Sequence, residues 1–377
     1  NHGPVFSDGR KLESCAGRHT FCWRGSVEKH LNKVREKVFR LTGLKKRQEL
    51  QWYLEQQRER IVFVHGKGKH KSEEQRRWEE LDALCKRWEG YEDSLEIMGK
   101  SRNSYSKTDP DATFMRMKDD HMRNGQLKPA YNVQIAVNSE YITGVDVFSN
   151  RTDFGTLIPF LKQLQHHHEA RYEEVTADAG YESLENYLFL EENGQISLIK
   201  PANYEAQKTK KFKQKIGRIE NMAYDAEEDC FTCAEGRKLP LRRESTQLQN
   251  GHFVTTAHYR CENCMDCPRR SACCHAKDAE KPKEVALKKT FWEKRARSQA
   301  NITTERGIYL RMCRSIQVEG AFALLKNDFG FRRFLTRGKQ NVRTELFFLA
   351  MAFNLKKLWM KRENGRLKTH LSEIRVA

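Results

Sequence analysis

A mixed α/β sheet flanked by helices and interrupted by two insertions is the fold this sequence predicts. The first observation behind it is the order of patterns, strand–strand–strand–helix–strand–helix, with no internal repeat. The second is an early block of dense helical periodicity. The third is a later basic stretch, rich in cysteine, in which the period is lost.

Taken in order, Val5 and Phe6 followed by Asp8-Gly9 predict a strand ending in a turn, then a second short extended piece. From Ser26 to Leu95 apolar residues recur at spacings of three, four and seven (Val27, Leu31, Val34, Val38, Leu41; Leu50, Tyr53, Leu54; Trp78, Leu81, Leu84, Trp88) amid Lys, Arg, Glu and Gln. That spacing predicts long amphipathic helices, broken by the basic loop Gly66–Lys71. Tyr131–Val137 and Tyr141–Val147 alternate with three residues between them, a β-hairpin pattern. A strand at Thr113-Phe114-Met115 is also possible. Leu157 to His168 reads as a helix, Glu174 to Asp178 as a short strand, Ser183 to Glu192 as a helix and Ile196 to Ile199 as a strand. Asn203 to about Lys289 has no clear period, and Arg311 to Leu358 returns to helix. The expected organisation is a first-strand region at 1–25, a helical insertion at 26–105, core strands and helices at 106–202, a basic Cys-rich insertion at 203–300 and C-terminal helices at 301–377.

The 377 residues include 69 Lys and Arg against 51 Asp and Glu, a formal net charge of +18. An excess of that size points to a polyanionic partner, nucleic acid first, with a merely solvated basic surface as the plainer reading. Hydrophobic content of 38%, with 10% aromatic, is enough for a buried core. No apolar run approaches the roughly 18 residues of a membrane helix, and no signal peptide opens the chain, so neither a membrane nor a secreted protein is expected. The chain starts at Asn1, which suggests that a segment before it is missing.

Three acids stand out by setting. Asp8 follows an apolar pair at a strand end, Asp178 ends a short strand, and Glu319 lies inside the helical run Arg314–Phe322. Adjacent strand ends and one facing helix can bring such residues together. A cluster of carboxylates repels itself unless divalent cations neutralise it, and Mg²⁺ prefers oxygen ligands. Two ions about 3.5–4 Å apart would activate water or a 3′-hydroxyl at a phosphodiester. The plainer reading makes Asp8 a turn residue, Asp178 a helix cap and Glu319 a solvated helix acid.

The runs Val5–Glu13, Val175–Ser183 and Arg314–Phe322 resemble the three acidic motifs of bacterial insertion-sequence transposases of the DDE type. Pro129–Val137, Lys326–Phe334 and Thr336-Arg337-Gly338 extend the resemblance over nearly the whole chain, in order. It implies an RNase H-like fold, with Asp8 on the first strand, Asp178 after the fourth and Glu319 on a later helix. It further implies two Mg²⁺ ions on these acids (Mn²⁺ able to substitute), cleavage at element ends and strand transfer into target DNA. Terminal repeats and target DNA are the implied partners, a homodimer is expected on analogy, and the implied setting is the bacterial cytoplasm and nucleoid. Two departures stand against the family pattern: Arg10 replaces the usual Thr after Asp-Gly, and the N-terminal DNA-binding helical domain is not seen. Asp109 or Asp111, in Thr108-Asp109-Pro110-Asp111, is the fallback for the first acid. A catalytically inactive remnant that still grips DNA is the alternative reading.

Lys326, seven residues after Glu319, falls on the same helix face and is a candidate phosphate contact, as are Arg332, Arg333 and Arg337. Phe331 and Phe334 read as core packing more readily than as base-stacking platforms, and the basic run Lys208–Lys215 could follow a DNA backbone or simply be solvated. His166-His167-His168 reads as a surface tract. Seven cysteines crowd into Cys230–Cys274. Cys261, Cys264, Cys267 and Cys273 have spacing suited to a structural Zn²⁺, with Cys233 as a substitute ligand. Iron–sulfur ligation fits the spacing less well, and unliganded thiols are the remaining alternative.

Overall fold

The computed structural model describes residues 3–66, 70–117, 125–274, 276, 278 and 280–369. Part of the basic loop expected at Gly66–Lys71, namely 67–69, lies outside the described residues. The chain opens with β1 (Val5–Glu13), a single strand that continues through Asp8-Gly9. The expected turn there is therefore corrected. Gly9 pairs with Gln134 of a neighbouring strand, and a Cβ on it would run into the side chains of Gln134 and Asp153. The glycine serves close approach, not chain reversal.

The strands β2 (Phe21–Trp23) and β3 (Ser104–Ser106) pair antiparallel and enclose the helical segment between them. Its helices are α1 (Arg24–Thr42), α2 (Arg47–Arg58) and α3 (Glu73–Met98), the last capped by the Ser72 side chain. Leu31, Val34, Val38, Leu50, Leu54, Leu81, Leu84 and Trp88 form a core of their own, as the heptad-like spacing predicts.

The main sheet follows. It comprises β1, β4 (Thr113–Arg116), β5 (Leu127–Asn138), β6 (Tyr141–Phe148), β7 (Glu174–Ala177) and β8 (Ile196–Ile199). Its order is β4-β5-β1-β7-β8, with β6 also on β5; β1, β7 and β8 run parallel, and β5 runs antiparallel to β1. The β5–β6 hairpin turns at Ser139 and Glu140, both at positive φ. Period-2 alternation sends Val133, Ile135 and Val137 to one face and Ala136 to the other. The second face is covered by α4 (Leu157–His168) and α5 (Leu184–Glu192) through Leu157, Phe160, Leu161, Tyr187 and Leu190. Each fully buried Val, Ile or Phe stabilises this three-layer arrangement by about 1.5–3 kcal/mol. The mixed α/β class expected from the sequence is the class observed.

After the short helices α6 (Tyr204–Gln207) and α7 (Lys210–Lys213), the Cys-rich stretch folds as an antiparallel sheet. Its strands are β9 (Ala223–Asp225), β10 (Cys230–Thr232), β11 (Lys238–Gln249), β12 (His252–Arg260) and β13 (Glu284–Lys288), with α8 (Arg270–Cys273) between the last two. Phe231, Leu239, Ala257, Tyr259, Cys261 and Cys264 give it a small core, so the stretch without a clear period in the sequence is a folded sheet. Most of β11 is exposed, which erases its alternation, yet Asn250-Gly251 at its end is a hairpin turn signal, with both residues at positive φ.

The chain then returns through α9 (Lys289–Thr303) and α10 (Glu305–Arg314) into a π turn at Ser315–Glu319, α11 (Gly320–Ala323) and a second π turn at Leu324–Asp328. The long α12 (Lys339–Glu363) closes the first face of the main sheet with Val342, Leu346, Ala350 and Phe353. No described helix is long and apolar enough to cross a membrane.

Candidate active site

Asp8, Asp178 and Glu319, remote in sequence, line one cleft of about 380 Å³. Strand register explains the first two. Phe6 of β1 pairs with Thr176 of β7 in a parallel ladder, and Asp8 and Asp178 each lie two residues further on. Glu319 reaches the same cleft from the end of the first π turn.

The two aspartates are held alike. Asp8 Oδ1 accepts the Gly9 N–H at 2.8 Å, and Asp178 Oδ1 accepts the Ala179 N–H at 2.7 Å. The second bond also caps the short turn Ala179–Tyr181, so the plainer reading of Asp178 as a cap holds alongside its place in the cleft. Cations stand against all three acids. Arg314 Nη1 lies 3.5 Å from Asp8 Oδ2, Arg314 Nη2 3.9 Å from Glu319 Oε1, and Lys200 Nζ 3.8 Å from Asp178 Oδ1.

Burial raises the Asp8 carboxyl above its ordinary 3.8; Arg314 and the Gly9 N–H pull it down, and the Asp178 charge adds to the rise. The folded chain thus holds that proton more tightly than the unfolded chain does. The resulting stabilisation is fully present below about pH 3.8 and is lost as pH rises through the raised value. A nearly buried carboxylate beside a second one favours a cation placed between them. Hard oxygen donors in such a setting suit a divalent cation of the Mg²⁺ type.

Sequence reasoning missed a fourth acid. Asp153 lines the cleft, and its Oδ1 accepts from Asn132 Nδ2 at 2.6 Å and Gln134 Nε2 at 3.2 Å. Gln134 in turn accepts the Tyr181 hydroxyl. Gly9 and Gly180 leave room for this carboxylate, because a Cβ on either would press against it. The available signal was an acid in the loop just past a strand, the same setting as Asp178. Arg314 was also missed as a site residue, although it lay within a run already singled out.

Lys326 and Arg10 also line the cleft, and the Arg10 guanidinium lies 5.4 Å from the centre of the Phe322 ring. Arg332 and Arg337 are exposed on the loop before α12. Arg333 is engaged internally: its fork donates to the carbonyls of Ser14 (2.9 Å), Cys15 (2.7 Å) and Ala16 (2.9 Å). Phe334 is buried edge-on to Tyr131, as the packing reading predicts.

The fallback acids lie elsewhere. Asp109 is fully buried and accepts from Ser14 Oγ, the Tyr131 hydroxyl (2.7 Å) and the Gly338 N–H (3.1 Å). Asp111 accepts the Lys339 N–H at 2.7 Å, at the start of α12. Both acids tie the 109–111 turn to the loop that follows Glu319, and neither lines the cleft.

In the Cys-rich sheet, Cys261 and Cys264 are buried, with Cys233 and Cys273 packed against the same core. Burial and the neighbouring Cys264 push the Cys261 thiol up to about 12, and burial likewise raises Cys273. Cys264 Sγ accepts the Lys283 N–H at 3.4 Å. Cys267 remains half-buried, outside that core. Among the described residues no three His, Cys, Asp or Glu side chains are gathered as a ready-made metal group, here or in the cleft.

Residues 232–359 match the family model described as transposase DDE domain. That stretch is about a third of the chain and includes Glu319, Lys326 and most of the Cys-rich sheet, whereas Asp8 and Asp178 precede it. The match supports a DDE-type transposase, an enzyme class that acts on DNA and generally uses divalent metal ions. Comparisons with curated proteins and with solved structures gave no match.

Proposed function

We propose that the chain is the catalytic part of a DDE-type transposase that cleaves DNA at the ends of an insertion element and joins them to target DNA. The observation that carries the proposal is the meeting of Asp8, Asp178 and Glu319 in one cleft. On this reading the three carboxylates hold two Mg²⁺ ions, which Mn²⁺ can replace. When bound, such ions supply an activated water or 3′-hydroxyl and charge stabilisation for the leaving oxygen. Asp8, held by the Gly9 N–H, and Asp178, held by the Ala179 N–H, orient their second oxygens, and Asp153 braces β1 at Gly9 and the turn at Ala179–Tyr181 through Asn132 and Gln134. Lys326 at the cleft, with Arg332 and Arg337 on the exposed loop, positions the phosphate backbone.

The strand order β6-β5-β1-β7-β8, with β5 alone antiparallel to its neighbours, is consistent with an RNase H-like core carrying a helical and a Cys-rich insertion. The net charge of +18 supports DNA as the partner. Pairing of two element ends by a homodimer, and a bacterial cytoplasmic setting, follow by analogy only. A duplex carrying the element's terminal repeat should be nicked by the purified chain with Mg²⁺ or Mn²⁺, and EDTA should abolish the nicking. Salt-dependent DNA binding with no metal-dependent cleavage would instead favour the inactive remnant, the reading to which Arg10 in the cleft lends weight.

The Cys-rich sheet is proposed to take a structural Zn²⁺ through four of Cys233, Cys261, Cys264, Cys267 and Cys273, of which Cys233, Cys261, Cys264 and Cys273 share one small core. Elemental analysis of the purified chain should find one zinc per molecule, and its absence would leave these residues as packing thiols.

A further inference from the structure

The cations set against the acids differ from the tight, forked ion pairs that brace the same fold. Arg295 grips Glu182 with a fork at 2.6 and 2.7 Å, and Arg306 grips Glu174 at 3.2 and 2.8 Å. Arg314 faces Asp8 and Glu319 at 3.5 and 3.9 Å, beyond good hydrogen-bond geometry, although its side chain is only 11% exposed. Its Nη1 is buried with no hydrogen-bond partner. A nearly buried guanidinium with an unmatched donor is costly unless its charge is needed where it stands.

Local backbone geometry explains how it comes to stand there. In an α-helix, residues five apart diverge by about 140° around the axis, so Arg314 and Glu319 would face different ways. The π turn Ser315–Glu319 widens the helix at this step and brings the side chains of positions 314 and 319 to the same side. Lys200 stands similarly loose against Asp178, so every acid of the expected metal set has a cation held near it by charge alone.

We propose that Arg314 is an internal counter-ion that neutralises Asp8 and Glu319 while the cleft holds no divalent ion, and that ion binding displaces it. The inference rests on the reading of these acids as metal ligands and adds how the site is loaded. Metal binding then competes with an internal ion pair, and the apparent affinity falls below the intrinsic one by the fraction of chains whose acids are paired with Arg314. Opening the ion pair becomes part of loading. A guanidinium released inside the cleft keeps its planar fork, which suits a phosphate oxygen pair.

Mn²⁺ alone, titrated calorimetrically into the full chain, tests the idea, with Asp178→Ala identifying which binding belongs to the cleft. Arg314→Gln should bind Mn²⁺ at the Asp178-dependent site roughly tenfold more tightly than wild type. It should also melt at a lower temperature without metal and gain more on adding Mn²⁺. Unchanged or weaker Mn²⁺ affinity in Arg314→Gln would overturn the proposal. A second measurement needs no substitution at position 314. Phenylglyoxal followed by peptide mapping should leave Arg314 unmodified in the metal-free wild type and modify it in the presence of Mn²⁺; equal protection in both states would contradict displacement. Wild-type chain with no Asp178-dependent Mn²⁺ binding would overturn the metal reading itself, and the counter-ion proposal with it.

Discussion

Asp178→Ala is expected to lower metal-dependent DNA cleavage by at least about 10³-fold, equivalent to roughly 4 kcal/mol of transition-state stabilisation. The carboxylate stands just past β7, in register with Asp8 on the neighbouring strand, so its loss removes one of the three acids from the cleft. The fold should tolerate the change. Asp178 is about half exposed, and apart from Lys200 its bond is to the N–H of the next residue. Circular dichroism and salt-dependent duplex binding should therefore match wild type while product formation on a terminal-repeat substrate disappears. A variant that cleaves at the wild-type rate would remove Asp178 from the chemistry.

Glu182→Ala should have the largest effect on stability, about 3–5 kcal/mol, the usual consequence of leaving a buried charge without its partner. Glu182 is only 3% exposed and Arg295 19%. Besides the Arg295 fork, the carboxylate accepts the Tyr187 hydroxyl at 3.0 Å and the Ala202 N–H at 2.8 Å, so three donors lose their acceptor together. The pair joins the turn after Asp178 to α9, the helix on which the chain returns from the Cys-rich sheet. Urea denaturation should show a lowered midpoint, with Glu182→Gln between wild type and Ala. A midpoint unchanged in Glu182→Ala would mean that the interaction is screened by solvent despite its burial.

Much of the main sheet is legible in the sequence because its strands and helices obey single periods. Leu157–His168 and Ile196–Ile199 are found where their patterns predict. The helical segment is legible for the same reason, since Leu31, Val34 and Val38 form one buried stripe of α1 that packs into a core shared with Leu50 and Leu54 of α2. Asp8-Gly9 misleads because a glycine needed for close approach to Gln134 and Asp153 looks like a turn residue when neighbours across the sheet are unseen. The Cys-rich sheet is hidden by exposure: β11 is long but mostly solvated, so it carries no alternating pattern. Asp178 and Glu319 are legible from their motifs. Asp153 and Arg314 are not, because their roles come from what strand order and a π turn set beside them. Arg333, read from the sequence as a DNA contact, has a structural task that its motif did not reveal: its fork serves three backbone carbonyls.

The central claim is that Asp8, Asp178 and Glu319 act together as the ligands of divalent ions. Anomalous diffraction from crystals of the chain grown with Mn²⁺ tests it most directly. The account predicts two manganese peaks inside the cleft, with carboxylate oxygens of all three residues as ligands. Manganese bound only outside the cleft, or a cleft empty at saturating Mn²⁺, would contradict it.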